Sequence, residues 1–343
     1  MALNTVTAGR AWLYSHNVGR NAQSGMGFST PVSAAITSNG TLYVANRSGE
    51  QNPSMRVTKC TIDHEFIDEF GRSGPVYGGS NNTSLFTWIT GIALDSNENV
   101  YTSDEWRCLI HVFDSDGSYL STWGEKGDNE GQLNGSAGIC FDADENLWIV
   151  NSFNSRIQKF SKDGNYISGF GSKGSGEGEF ESPYGISIDP QGNLYVADWG
   201  NDRIQKLTPD GQHLATFGHG GKGAGSLNHP TDVCIDNEGD VYVVDWMNER
   251  VVIYDKDTKP LTYLYGDAVD VSPWGEMSLE SNPDMVKRRN QVEDMVEQQR
   301  KFRMPQGCIF DRDNNRLIIC DTNRGRLQVY IKDHSYQDPQ FNL

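Results

Sequence analysis

The feature that most limits what this chain can become is a repeat. Asp95, Asp142, Asp189 and Asp236 each close a short apolar run and stand 47 residues apart; Thr37 and Asp311 hold the same place in two further copies. In the central copy Gly185 to Asp189 alternates as a strand, Gln191-Gly192-Asn193 turns the chain, and Leu194 to Ala197 reads as a second strand. Arg203 to Leu207 reads as a third, and His213 to Phe217 as a fourth after the turn at Asp210-Gly211. Four strands per unit at a fixed period predict an all-β propeller of four-stranded blades and not a helical solenoid.

Counting the copies predicts how the ring closes. Six units are visible, but the sixth ends in a polar tail after Leu327 to Tyr330, without a fourth strand. The link from Gly171 to Pro183 carries a fourth strand to the next unit in twelve residues, and Gly19 to Pro31 has the same length. Residues 12–19 therefore read as the missing outer strand of blade 6, paired with residues 326–331, so that no open edge separates first and last blades. Residues 1–343 read as one domain.

The pattern Pro-x-Gly-Ile-x-x-Asp-x-x-Gly-Asn-Leu-Tyr-Val-Ala-Asp-x-x-Asn-x-Arg-Ile-Gln, complete from Pro183 to Gln205, resembles the NHL repeat, over about residues 12 to 330. The resemblance implies a six-bladed β-propeller. Rings of this kind serve as lyases, as RNA- or protein-binding platforms and as sensor domains, so the fold does not by itself set an activity.

Charge narrows the classes. The formal net charge is −17 and the isoelectric point about 4.8, a surface that repels phosphate backbones, so nucleic acid is not an expected partner. No run reaches the ~18 apolar residues of a membrane span. The opening MALNTVTAGRAWLYSHNVGR lacks the apolar core of a secretory signal. The six cysteines (60, 108, 140, 234, 308 and 320) form no Cys-x-x-Cys pair and mostly fall in strand-like runs, which reads as buried reduced thiols and a cytoplasmic protein.

Departures from the period mark where the ring is elaborated. In a blade, the link from second to third strand and the link to the next blade open on one face, here called the top. Asn46 to Arg56 spans ten residues where Asp198 to Arg203 spans five; Gly71 to Gly91 spans twenty and Gly266 to Gly307 spans 41, where Gly218 to Asp232 spans fourteen. The opposite turns stay short. Variable loops on a rigid frame are where function collects, so the top face is the expected site.

The longest insertion, residues 267–303, reads as helical. Asn282-Pro283-Asp284 is a helix start, and Met285, Val292, Met295, Val296 and Phe302 form an apolar stripe on a helix of about 20 residues, roughly 30 Å long, with Glu297 and Lys301 as an i,i+4 pair. Such a stripe fits a lid over the channel or a rim contact, including one that makes a homodimer.

Two rings of positions face the channel mouth. The residue after the Asp or Asn that ends the second strand reads Arg47, Glu105, Ser152, Trp199, Trp246 and Thr322, with Trp106 and Phe153 one place further on and Trp88 just before an inner strand. The residue after the inner-strand Pro, or at its place, reads Val32, Thr90, Ala137, Tyr184, Thr231 and Gln306, and the next reads Ser33, Gly91, Gly138, Gly185, Asp232 and Gly307. Asp232 replaces a permissive glycine by a carboxylate, His229 precedes it by three, and Arg303 stands before the inner strand of blade 6.

In the NHL-type lyases that cleave peptidyl-hydroxyglycine, the resemblance implies a zinc held by histidines, some directly after the inner-strand Pro. No equivalent position here is His, and the seven histidines are scattered, so ligand positions do not support zinc; they do not support calcium either, though backbone carbonyls lining the channel leave a calcium or a zinc open. Arg47 and Asp232 do stand where such lyases carry a functional arginine and an acid.

The expectation is a stand-alone enzyme of lyase or hydrolase type, acting on a small molecule at the top face. Asp232, Arg47 and Tyr184 are the expected catalytic residues. Trp88, Glu105, Trp106, Trp199, His229, Trp246, Arg303 and Gln306 are the expected substrate-binding ones. The alternative is a binding module without catalysis, either a protein-interaction platform or a sensor that holds a cation on its tryptophans.

Overall fold

The computed structural model describes residues 4–48, 54–72, 86–291 and 299–336. Six antiparallel sheets form the blades of a ring, five with four strands and the sixth with five. The fourth blade shows how the repeated letters make a blade. Its strands are Ile186–Ile188, Leu194–Asp198, Arg203–Leu207 and His213–Phe217, paired in sequence order.

At the bottom of the blade Asp189 closes the first turn. Its Oδ1 accepts the backbone N–H groups of Gln191 (3.0 Å) and Asn193 (2.8 Å), and its Oδ2 lies 3.1 Å from Lys206 Nζ. At the top Asp198 does the same work for the opposite link. It accepts from Glu181 N (2.8 Å), Asn201 Nδ2 (2.9 Å), Arg203 Nε (2.8 Å) and Gln205 Nε2 (3.2 Å). The Asp, Asn, Arg and Gln of the repeat are thus one buried, fully bonded cluster, which satisfies a charge that burial alone would make costly. Asp245 and Asp321 repeat it with Arg250 and Arg326.

Between neighbouring blades lies an apolar cluster, one at each of the six seams. Ring closure follows the expected pairing. Strand β1 (Asn4–Thr7) and strand β2 (Arg10–Val18) form a hairpin, and β2 pairs antiparallel with Arg326–Asp333, Val18 facing Leu327 and Leu13 facing Ile331. Trp12 is fully buried in the seam between blades 5 and 6 and donates its Nε1–H to Tyr242 Oη at 3.0 Å. The extra strand β1 was not legible as a strand.

The insertion departs from its sequence reading. Helix α1 (Pro273–Glu280) starts at Ser272, whose hydroxyl accepts from Gly275 N, and helix α2 (Pro283–Arg289) starts at Asn282 as expected but reaches its C-cap at Asn290. Val292, Met295, Val296 and Glu297 lie outside the described residues. Phe302 is not on a helical stripe: it is buried in the seam of blades 5 and 6, its N–H bonded to Tyr265 O.

Nor is α1 placed over the channel. Trp274 is buried among the residues of the seam between blades 6 and 1, against Phe28 and Phe66, and donates to His64 O at 2.6 Å. Ser272 Oγ donates to Gly19 O, and Asn17 Nδ2 to Asp270 O. The first half of the insertion is a strap down the outside of the seam where the ring closes.

Neighbouring inner strands approach closely at the glycine-rich level. A Cβ on Gly91 would lie 2.9 Å from Ala137 O, on Gly138 2.8 Å from Tyr184 O, and on Gly307 2.5 Å from Val32 O. This level forms a neck between an upper cavity and a lower one of about 400 Å³. No helix among the described residues is long and apolar enough to cross a membrane. None of the six cysteines is in a disulfide.

Candidate functional site

The upper cavity, about 360 Å³, is built from both rings of positions that face the channel mouth. The links after the second strands supply Arg47, Glu105, Ser152, Phe153, Trp199 and Trp246; the approaches to the inner strands supply Trp88, Ser182, Tyr184, Thr231 and Gln306. The local cause is a short turn. In blades 3 to 6 the second strand runs into a single 3₁₀ turn that begins at the variable residue, Ser152, Trp199, Trp246 or Thr322. Each turn ends in a left-handed residue, at Ser155, Asp202, Glu249 and Gly325. In blades 4 and 5 the buried Asp198 and Asp245 accept from the Nδ2 of the turn's own Asn201 and Asn248, and in blades 3, 4 and 5 the variable side chain is set at the channel mouth.

Arg47 is the centre of the polar wall. Its Nε donates to Ile89 O (3.1 Å) and its Nη2 to the Tyr184 hydroxyl, while the guanidinium lies 5.0 Å over the Trp88 ring. Burial pushes the Tyr184 phenol above its ordinary range, and Arg47 opposes the shift. Glu105, whose backbone N–H bonds Trp88 O, is half-buried. Burial raises its carboxyl, Arg47 pulls it back down, and Asp104 raises it further.

The opposite wall is aromatic. Trp199 and Trp246 lie with ring centroids 6.4 Å apart. Thr231 Oγ1, Trp246 Nε1 and Gln306 Oε1 are buried and find no hydrogen-bond partner among the described residues.

Of the eleven expected site residues, seven line this cavity: Arg47, Trp88, Glu105, Tyr184, Trp199, Trp246 and Gln306. Four do not. Trp106, 75% exposed, lines an adjoining compartment. His229 lies behind Trp199, the rings 4.0 Å apart and edge-on, with its Nδ1 against Asn228 Oδ1. Arg303 is exposed and does not line the cavity; its backbone joins the blade, Arg303 N donating to Asp321 Oδ1 and Arg303 O accepting from Asn323 N.

Asp232 sits at the neck and lines the lower cavity. Its Oδ2 accepts Cys308 N and its Oδ1 accepts Val233 N, both at 2.9 Å, so the carboxylate joins the inner strands of blades 5 and 6. Burial lifts its pKa to about 7 against these two bonds. The Gly-to-Asp change that drew attention in the sequence has a structural use: the side chain fills the gap over Gly185, where a Cβ would lie 2.5 Å from Asp232 Oδ1.

Reasoning from the sequence did not single out Ser182, Ser152, Phe153 or Thr231 as site residues. The last three stood in the two mouth-facing rings, so position rather than residue type was the signal. Thr322 shows the converse. It holds a mouth-ring position but is buried, donating to Pro31 O at 2.8 Å.

The cavity offers a metal ion a single carboxylate and neither His nor Cys among its lining residues, which does not fit a catalytic metal site. The one group of acids close enough to share a cation among the described residues, Asp236, Glu238 and Asp240, holds the Lys332 ammonium instead.

Comparison with known proteins follows the same geometry. Residues 129–222 match the family model described as SMP-30/Gluconolactonase/LRE-like region, and residues 227–254 match the NHL repeat. Both matched stretches lie within the six-bladed propeller, and this agrees with the fold. No curated protein sequence matches the propeller. Among solved structures, a protein of unknown function from Bacteroides thetaiotaomicron is similar with a TM-score of 0.64 at 15% identity, over 94% of this chain and 76% of that one.

Virginiamycin B lyase from Staphylococcus aureus has a TM-score of 0.53 at 14% identity, over 96% and 93% of the two chains. A gluconolactonase from Xanthomonas campestris has 0.58 at 15%, over 94% and 90%. At such identities the likeness of these structures to this chain is one of fold.

Proposed function

We propose that this propeller is an enzyme acting on a small molecule by lyase or hydrolase chemistry in the upper cavity. The observation that carries the reading is the Arg47–Tyr184 hydrogen bond beside the half-buried Glu105 carboxyl. Because Tyr184 oxygen accepts from Arg47, its own O–H remains to donate, and the two groups together stabilise negative charge forming on a substrate oxygen. Glu105 carries the proton, taking it from water in a hydrolase or from a carbon next to a carbonyl in a lyase; burial brings its carboxyl nearer to working pH. Trp88, Trp199 and Trp246 hold the apolar body of the substrate and keep water out. In this reading Asp232 and Arg303 do not touch the substrate. The likeness to a lyase and a gluconolactonase supports the choice of reaction class, and six free cysteines support a reducing, cytoplasmic setting.

A screen of the full chain against lactones, esters and compounds that eliminate a leaving group tests the reading. Glu105→Gln should lower kcat/KM by about 100-fold or more with an unchanged melting temperature. Full turnover in that variant overturns the assignment. A second reading, ligand binding without turnover, is favoured by the single carboxylate of the cavity; ligands that raise the melting temperature without being converted would establish it.

A further inference from the structure

Beside the upper cavity lies a second compartment, of about 320 Å³, most of whose lining the proposed chemistry leaves without a role. Trp106, Lys126 and Asn134 line it, and it shares Trp88, Glu105 and Phe153 with the inner one, so the two adjoin. Trp106 and Phe153, 75% and 63% exposed, are the most exposed large apolar side chains among the described residues. Single apolar residues in water are ordinary on a protein surface. Two aromatic rings flanking a hollow that adjoins an aromatic cavity are a binding surface.

The frame fixes the backbone at both residues. Phe153 begins its approach within a 3₁₀ turn, its N–H bonded to Asn134 O at 3.1 Å. Its ring lies against Gly135, where a Cβ would come within 2.7 Å of Phe153 Cδ2. Gly135 has φ +73°, so both its conformation and its lack of a side chain let the ring lie flat. Trp106 follows Glu105 in a turn that Asp104 closes by accepting Arg107 N at 3.0 Å. Lys126, exposed at the rim, is held by a bridge to Leu133. On a chain of net charge −17 it is the one cation lining this compartment among the described residues.

We infer that the site takes a two-part ligand. Its reacting group enters the inner cavity at Arg47, Tyr184 and Glu105, and a planar aromatic group carrying an anionic substituent lies in the outer compartment, between Trp106 and Phe153 with its charge toward Lys126. This rests on the reading of the inner cavity as the ligand site and adds the substrate class: an aryl acid of two-ring size or more. Stacking on the two rings supplies the preference for a flat apolar face, and Lys126 the preference for an anion.

The test is a titration of the full chain with 1-naphthylacetate, followed by tryptophan fluorescence. Naphthylmethanol, which lacks the charge, and acetate, which lacks the ring, are the controls. Binding of 1-naphthylacetate in preference to both is expected. The Trp106→Ala/Phe153→Ala double variant should raise Kd at least about tenfold, and Lys126→Gln should abolish the preference over naphthylmethanol. These side chains are exposed, so the melting temperature should not move; a variant that melts with the wild type and binds like it overturns the inference. So does a wild type that binds neither aromatic probe, or a protein partner captured through Trp106 and Phe153 that naphthylacetate fails to displace. If Glu105→Gln abolishes turnover while the double variant leaves KM unchanged, the outer compartment is refuted and the enzyme stands. If the double variant loses naphthylacetate and Glu105→Gln retains turnover, the reverse holds.

Discussion

The guanidinium of Arg47, in blade 1, is hydrogen-bonded to the hydroxyl of Tyr184, in blade 4, across the mouth of the channel and 137 residues along the chain. Neither group reaches this geometry within its own repeat. The bond depends on the planar fork of arginine, which serves Ile89 O with Nε and Tyr184 with Nη2. Arg47→Lys should lower kcat/KM or ligand affinity by roughly 10- to 100-fold, because a lysine ammonium does not reproduce the fork. Tyr184→Phe should act in the same direction. Melting temperatures recorded alongside separate this from a folding defect.

The cluster around Asp198 makes a different prediction. Asp198→Asn removes the charge that Arg203 Nε meets at 2.8 Å inside the blade and should cost about 3 kcal/mol of stability, read from denaturant unfolding. Asn201 and Gln205 share the same oxygen, so the loss should exceed that of an exposed pair.

Ring closure predicts the effect of truncation. Deleting residues 1–19 removes β1 and β2, takes Trp12 out of the seam of blades 5 and 6, and bares the edge of Arg326–Asp333. The product should aggregate and melt less cooperatively, by size-exclusion chromatography and calorimetry. A single change at the strap, Trp274→Ala, should cost about 3 kcal/mol and leave the chain monodisperse.

Asp232 ties stability to pH. Its folded pKa of about 7 lies above the ordinary carboxylate value, so between pH ~4 and ~7 the folded chain holds a proton that the unfolded chain has released. Stability therefore falls as pH rises through that window, with a slope of up to about 1.4 kcal/mol per unit from this group, and is fullest below it. Asp232→Asn, measured by urea unfolding at pH 4.5 and 7, should show a shallower decline. An unchanged slope would assign the pH dependence to other groups.

How much of this was legible from the chain alone differs between frame and site. The strands of blade 4, the turns at Asp189 and Asp210-Gly211, and the pairing of residues 12–19 with 326–331 follow from period and turn chemistry. Those signals are local: an Asx turn or an alternating strand is written within a few residues. The strap was less legible. Ser272-Pro273 carries the same helix-start letters as Asn282-Pro283, but nothing near Trp274 names the distant seam of Phe28 and Phe66 that receives it.

What the sequence by itself determined is the ring: six copies of a unit that cannot bury its two faces alone must stack on one another, and the odd strand at one end must fill the gap at the other. It also pointed to the two positions of the repeat from which the upper cavity is drawn, although in some copies the residue there is buried instead, as Thr322, Val32, Thr90 and Ala137 are. Only the tertiary structure decided which of those side chains meet. Arg47, Glu105 and Tyr184 converge in one cavity, while Asp232, one residue past the mouth ring, lines the lower cavity and bonds Cys308 N, and Arg303 is exposed outside the upper cavity. The reason is geometric: along an inner strand each residue moves the side chain by about 3.3 Å and reverses its face, so one position in sequence separates the upper cavity from the lower.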